Sequence, residues 1–260
     1  MSLHVERTGA GPALLLLHGW AMHGGIFAPL VDALAPHFRV TTIDLPGHGG
    51  SRDSPLPLEL GAVTQALGDV LVPGERTLVL GWSLGGLAAL ALAAAQPARL
   101  RGLVMLAASP RFVDAPDWPH GMDKAVFERF GDALADDWRG TLDRFLMLEA
   151  QGSPQLAQTL RFLRDAVHSR GEPAPRALQE GLRLLHDADL RAALPELAVP
   201  SLWLAGRRDR LVHPQAMQVA ASLCPRGHFH CFERAGHAPF LTEPAAVAAA
   251  LTAFARNCPP

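Results

Sequence analysis

The stretch LVLGWSLGGL, residues 78–87, constrains the fold more than any other part of the chain. An apolar, β-rich run ends at Leu80, Ser83 stands between two glycines, and an alanine–leucine run from Leu84 to Ala95 has the length and composition of a helix. A strand that turns into a helix at Ser83 needs strained backbone angles, and Gly81 and Gly85 remove the side chains that would collide there. Such a turn lifts Ser83 Oγ above the end of a strand. It also aims the Leu84 amide, at a helix N-terminus, toward charge developing on a nearby oxygen. A plain strand-to-helix turn shares this pattern, so the chemical reading depends on partners elsewhere.

Short β-rich runs recur at Ala13 to Leu17, Val40 to Ile43, Thr77 to Leu80, Leu103 to Leu106, Ser201 to Leu204 and Phe229 to Phe232. Most are separated by helix-compatible segments such as Gly25 to Ala35, Leu84 to Ala95, Pro214 to Leu223 and Pro244 to Phe254. That alternation predicts an α/β fold, a mostly parallel central sheet flanked by helices, with reactive groups at the carboxyl ends of the strands. The rhythm breaks between about Pro110 and His186, where the pattern is helical. Residues 1–109 and 187–260 therefore read as the core, and 110–186 as an inserted helical cap. Within it, Arg111 to Asp137 holds three basic and seven acidic residues, whereas Trp138 to His186 holds seven arginines and five acids. The second half is the basic one.

With 260 residues, 49% of them hydrophobic, the chain buries a sizeable core without staples. A formal charge of -2 with no long run of one sign gives no electrostatic footprint for nucleic acid. Cys224, Cys231 and Cys258 form neither a disulfide framework nor a zinc pattern. The N-terminus lacks the marks of a signal peptide, and the longest run free of charged or polar residues, Leu84 to Ala95, is too short to span a bilayer. A soluble, cytoplasmic protein with no nucleic-acid or membrane partner is expected.

Partners for Ser83 stand where a nucleophile of this kind needs them. The run LLLLHGW places Trp20 in the loop after an early strand, where its backbone N–H supplies a second oxyanion donor and its indole walls an acyl pocket. His18 in that loop reads as a structural hydrogen bonder. The base is expected near the chain's end, and ERAGHAPF supplies His237 just past the run ending at Phe232. The acid is expected after the preceding run, where GRRDRLVHP puts Asp209. Asp209 would accept from the His237 ring N–H, fixing its tautomer and stabilising the imidazolium. Alone, Asp209 is a loop residue among arginines and His237 a capping or core histidine; three candidates at successive strand ends in the expected order are hard to ascribe to chance.

Other features read more simply. Strand alternation accounts for His228 and His230, with Cys224 nearby, and no metal site is expected there. DLPGHGGS, Asp44 to Ser51, lacks the spacing and lysine of a phosphate loop and reads as a turn beside the site's mouth. Asp189 reads as the N-cap of the helical run Leu190 to Leu194. Arg144, Arg161 and Arg164 read as a solvated helix face.

With these residues in hand, the chain resembles the α/β-hydrolase superfamily along its whole length. More narrowly it resembles the family of pimeloyl-[acyl-carrier protein] methyl ester esterases of biotin synthesis. LLLLHGW, DLPGHGGS, LGWSLGGL, ASPRF, DDWRGTLDRFLMLEAQG, RRDRLVHP and GHAPF carry the resemblance. It implies a catalytic serine, aspartate and histidine at Ser83, Asp209 and His237, and oxyanion donors at Trp20 and Leu84. Implied substrate contacts are Trp20, Ser83, Leu84, Phe145, Leu146, Met147, Leu148, Glu149 and His237. The family docks an acidic carrier protein through cap arginines. Arg144 and Arg161 match two of those positions, whereas Gly140 and Ala157 occupy the other two, with Arg139 and Arg164 close by. Arg111 also departs from the smaller residue expected in SPRF. The implied reaction is hydrolysis of a methyl ester on a carrier-bound seven-carbon diacid by a monomeric enzyme, with no metal or organic cofactor. Two rivals share the same residues: a general carboxylesterase for short acyl esters, and a non-catalytic ligand-binding protein on this fold. Serine rather than aspartate at the turn disfavours a dehalogenase.

Overall fold

Four consecutive leucines make β2 (Ala13–Leu17) a strand buried at every position, the signature of a strand covered on both faces. The computed structural model describes residues 3–259. Its other strands are β1 (Val5–Thr8), β3 (Arg39–Ile43), β4 (Thr77–Trp82), β5 (Leu100–Leu106), β6 (Ser201–Gly206) and β7 (Gly227–Phe232). They form one sheet in the order β1-β3-β2-β4-β5-β6-β7. Only β1 runs antiparallel, pairing Val5 with Ile43 and Thr8 with Val40; the remaining pairs are parallel.

The helices are α1 (Ala28–Leu34), α2 (Leu60–Val70), α3 (Leu84–Ala95), α4 (Lys124–Asp136), α5 (Trp138–Ala150), α6 (Leu156–Ser169), α7 (Pro175–Asp187), α8 (Pro214–Leu223), α9 (Pro239–Thr242) and α10 (Pro244–Asn257). Helix α3 is apolar along nearly its whole length because it packs on β4, β5 and α2, while α8 covers β6 and β7 and α10 packs against α1. Among the described residues no helix is long and apolar enough to cross a membrane.

Helices α4 to α7 all fall between β5 and β6. Asp123 and Asp137 start α4 and α5 by accepting the Val126 and Gly140 amides at 3.0 and 2.9 Å. The second half of this group is tied to the loops at the sheet's carboxyl edge. Helix α7 packs on α3, and α6 packs on the 3₁₀ turn Gly24–Phe27. Arg170, just past α6, pairs with Asp44 at 3.2 Å, and Asp44 in turn accepts the Gly24 and Gly50 amides at 2.7 Å each. The turn after β3 is thus the anchor for the inserted helices.

Two local features differ from expectation. Strand β1, the four residues VERT, is absent from the predicted strands because it is a short, largely exposed edge with no apolar run. Asp189 does not cap a helix. Leu190 precedes a single 3₁₀ turn, Arg191–Ala193, and the Asp189 carboxylate accepts the Arg191 amide at 3.2 Å while pairing with Arg111 at 2.8 Å and Arg191 at 2.7 Å. Arg111 is therefore held against the start of that turn.

Candidate active site

Ser83 links β4 to α3 with φ 53° and ψ −122°, a left-handed backbone that costs a non-glycine residue about 1–3 kcal/mol. Among the described residues two other non-glycine residues have positive φ, Ala21 and Ala107, at 63° and 44°. Both stand just past carboxyl ends of strands, Ala21 beside Trp20 and Ala107 directly after β5. The strain is concentrated on one edge of the sheet. The Ser83 amide donates to Leu106 O at 3.1 Å and its carbonyl accepts from Gly86 at 2.9 Å, which pins the turn. A Cβ on Gly81 would collide with the backbone of Gly85 and Gly86, and one on Gly85 with the carbonyls of Leu17 and His18. The turn therefore needs both glycines and sits directly on the end of β2.

That contact brings the loop after β2 to Ser83. A Cβ placed on Gly19 would come within 3.2 Å of Ser83 Cβ, so Trp20 follows immediately beside the serine. Among the described residues, neither the Trp20 nor the Leu84 amide donates to a loop or turn carbonyl. His18 holds the loop in place: its Nδ1 bonds Gly19 O at 2.8 Å and its Nε2 accepts the Leu45 amide at 2.9 Å. Burial, and next the neighbouring His48, push its pKa down to about 3. Accepting an amide and unable to charge at neutral pH, His18 is a structural group.

His237 and Asp209 come together from the loops after β7 and β6. His237 Nδ1 and Asp209 Oδ2 lie 2.9 Å apart with both side chains fully buried. The other Asp209 oxygen accepts the Leu211 and Val212 amides at 2.8 and 3.0 Å, fixing the carboxylate before histidine is considered. His237 is tied to the serine turn through Trp82, whose indole donates to the His237 carbonyl at 2.9 Å. The two rings lie 5.6 Å apart. With Nδ1 committed to the aspartate, Nε2 is buried without a hydrogen-bond partner among the described residues. It is the ring nitrogen left to exchange a proton.

A cavity of about 210 Å³ opens onto Ser83. Its walls are apolar: Trp20, Phe112, Phe127, Phe130 and Phe145, with Leu148, Leu182 and Leu185. Trp20 is locked by its indole N–H donating to Leu178 O at 2.9 Å and by edge-on contact with Phe145 at 4.8 Å. Of the five consecutive α5 residues expected at the substrate, the helix turns Phe145 and Leu148, three positions apart, into the cavity. Leu146 instead lines an outer groove with Trp138 and Arg164, and Met147 is 37% exposed. Leu84 and His237 are buried but are not among the lining residues.

Glu149 is the residue whose character sequence reasoning missed. It is 1% exposed, and neither carboxyl oxygen has a hydrogen-bond partner among the described residues. Burial, with the Asp209 charge adding to it, holds its pKa well above the usual carboxylate range. The turn after α5 explains the proximity, since Gly152 packs on Arg208 and Gly236 on the backbone of Gln151 to Ser153. Only the acidic residue in an otherwise apolar FLMLEA run signals it.

The four arginines expected at a carrier surface are not equivalent. Arg139 makes a two-pronged pair with Glu172 at 3.0 and 2.8 Å, and Arg164 one with Asp143 at 2.7 Å on both arms. Arg144 donates to Thr141 Oγ1 at 2.6 Å, and Arg161 is exposed. His228 and His230 both face solvent from β7, as strand alternation requires.

Comparison with known proteins places the chain in a family. The alpha/beta hydrolase fold profile matches residues 12–244. A Stenotrophomonas maltophilia protein named pimeloyl-[acyl-carrier protein] methyl ester esterase is 53% identical over 258 residues, 99% of this chain and 98% of that one. A Xanthomonas oryzae pv. oryzae protein of the same name is 51% identical over 257 residues, 99% of this chain and all (100%) of that one. Among solved structures, an esterase from Exiguobacterium antarcticum superposes with a TM-score of 0.87 at 23% identity, covering 98% of this chain and 95% of that one; it shows the fold.

Proposed function

The chain belongs to the alpha/beta hydrolase fold family, and from that premise we propose that it is a serine carboxylesterase cleaving the methyl ester of pimeloyl-[acyl-carrier protein] methyl ester. The products are pimeloyl-[acyl-carrier protein] and methanol, and the setting is biotin synthesis in the cytoplasm. The observation that carries the chemistry is the buried 2.9 Å contact between His237 and Asp209 beside the strained Ser83 turn. Relatives at 51–53% identity over nearly the whole chain supply the substrate.

In this reading Ser83 Oγ attacks the ester carbonyl while His237 Nε2 takes its proton. The carbonyl oxygen, now negative, is held by the Trp20 and Leu84 amides, and His237 returns the proton to departing methanol. Water then attacks the acyl-enzyme with His237 again as base, giving the free acid and restoring Ser83. Asp209 accepts the His237 Nδ1–H and stabilises the imidazolium. The thioester at the substrate's other end is spared because the apolar cavity presents only the distal carbonyl to the oxyanion donors. Residues 110–186 form the cap in this scheme, the protein works as a monomer, and Arg144 and Arg161 lead the docking of the acidic carrier.

A second reading is a general carboxylesterase for short acyl esters. It is favoured by one observation: Glu172 and Asp143 already neutralise Arg139 and Arg164. Complementation separates activity on the carrier-bound ester from mere esterase chemistry. The gene is expected to restore growth without biotin to a host lacking its own esterase, with Ser83→Ala failing; a wild-type gene that does not restore growth counts against the biotin substrate.

A further inference from the structure

Among the described residues lining the cavity that contains Ser83, Arg210 is the single charged side chain. It follows Asp209 in the loop after β6, is exposed, and lies in the cavity wall next to Leu211. Val126, 45% exposed at the start of α4, also lines this cavity. The exposed lining residues mark the mouth, and the buried aromatic ones mark the interior. Several other arginines around the inserted helices are satisfied within the protein, Arg111 and Arg191 by Asp189, Arg176 by Glu180, and Arg139 and Arg164 by Glu172 and Asp143, whereas Arg144 and Arg161 have no carboxylate partner among the described residues but do not line this cavity. Arg210 has no carboxylate or hydrogen-bond partner among the described residues.

An unpaired guanidinium beside an apolar chamber is poorly explained by packing. Its planar fork matches a carboxylate or phosphate, and the apolar walls on one side weaken the screening that makes such pairs worthless in open water. We propose that Arg210 determines specificity by binding an anionic group of the substrate at the cavity mouth, one acyl chain away from the ester at Ser83. Two anions fit this chemistry: the free carboxylate of a dicarboxylic acid half-ester, or the phosphodiester of a carrier's prosthetic arm. The inference rests on the esterase reading above and adds a second anchor point to it. A substrate held at both ends keeps its ester carbonyl in register with the oxyanion donors.

The test is the ratio of kcat/KM for anionic over neutral esters of matched length. It compares the monomethyl with the dimethyl ester of one dicarboxylic acid, and a methyl-ester acyl-phosphopantetheine with its acyl-pantetheine counterpart lacking phosphate. Wild-type protein is expected to favour the anionic member of at least one pair by about tenfold, mainly through KM and less so in high salt. Arg210→Gln is expected to erase that ratio and Arg210→Lys to restore part of it. Loss confined to the half-ester pair assigns the carboxylate, and loss confined to the phosphopantetheine pair assigns the phosphate. A ratio near one in wild-type protein, or a ratio unchanged in Arg210→Gln, overturns the proposal. Hydrolysis of no ester by wild-type protein would instead defeat the esterase reading itself.

Discussion

The pKa of Glu149, on the last turn of α5, is raised above the usual carboxylate range by its burial and, secondarily, by the charge of Asp209 after β6. Their surroundings differ. Asp209 has two backbone amides and the His237 ring to stabilise its charge, whereas Glu149 has no partner among the described residues. The unfolded chain loses the Glu149 proton above its ordinary value of 4.5, while the folded chain keeps it. Stability from this residue is therefore full below that value and declines as pH rises toward the folded pKa. Glu149→Gln is expected to flatten the decline, raising the urea midpoint more at pH 8 than at pH 5. An equal change at both pH values would show that Glu149 is ionised in the folded protein.

The Asp209 carboxylate does two separable jobs, accepting two loop amides through Oδ1 and the His237 ring through Oδ2. Asp209→Asn can keep the first with its amide oxygen while presenting an N–H to His237 and forcing the wrong tautomer. A kcat loss of about 10⁴-fold with little change in melting temperature is expected. Retention of more than a tenth of wild-type kcat would remove Asp209 from the catalytic unit.

Acid sensitivity has a different origin. His18 and His48 stack edge-on at 5.2 Å, and burial, first among the causes, pushes their pKa values to about 3 and about 4. Because the folded state refuses protons that the unfolded chain accepts below 6.5, their contribution is full above that pH and is lost as pH falls toward those values. At pH 5 each costs on the order of 2 kcal/mol, from 1.36 kcal/mol per pH unit over about 1.5 units. Urea denaturation at pH 7.5 and pH 5 measures this; equal stabilities would contradict it.

Among the described residues, Arg144 and Arg161 are the expected docking arginines without a carboxylate partner, so reversing them removes charge without freeing an acid. The double change to Glu is expected to lower the ratio of carrier-bound ester to p-nitrophenyl ester kcat/KM by at least about tenfold at low salt, with the gap narrowing as salt rises. A constant ratio would favour the general esterase.

How much was legible in the sequence follows from how local each signal is. Helices α3 and α8 run over the same residues as their apolar runs, and β2 matches its leucine run, because burial on all sides leaves an unbroken pattern. The serine turn was legible because Gly81 answers to a backbone collision within a few residues, although Gly85 answers to the carbonyls of Leu17 and His18 far away in sequence. The cap surface was not. A substrate contact at all five consecutive residues 145–149 is more than one helix face can provide, and the direction each one takes depends on how α5 packs on α4 and α6. Glu149 enters from sequence only as an implied substrate contact; its burial without a partner among the described residues depends on loops more than fifty residues away. Pairing of Arg139 and Arg164 likewise depends on neighbours across helices.

The most direct measurement of the central claim is the mass of the carrier-bound product formed by purified protein from pimeloyl-[acyl-carrier protein] methyl ester. Loss of one methylene unit in mass, with methanol released in equal amount and the thioester intact, is the expected result. Ser83→Ala should leave the substrate unchanged. Release of free carrier through thioester cleavage, or the same product from the Ser83→Ala protein, would contradict the account.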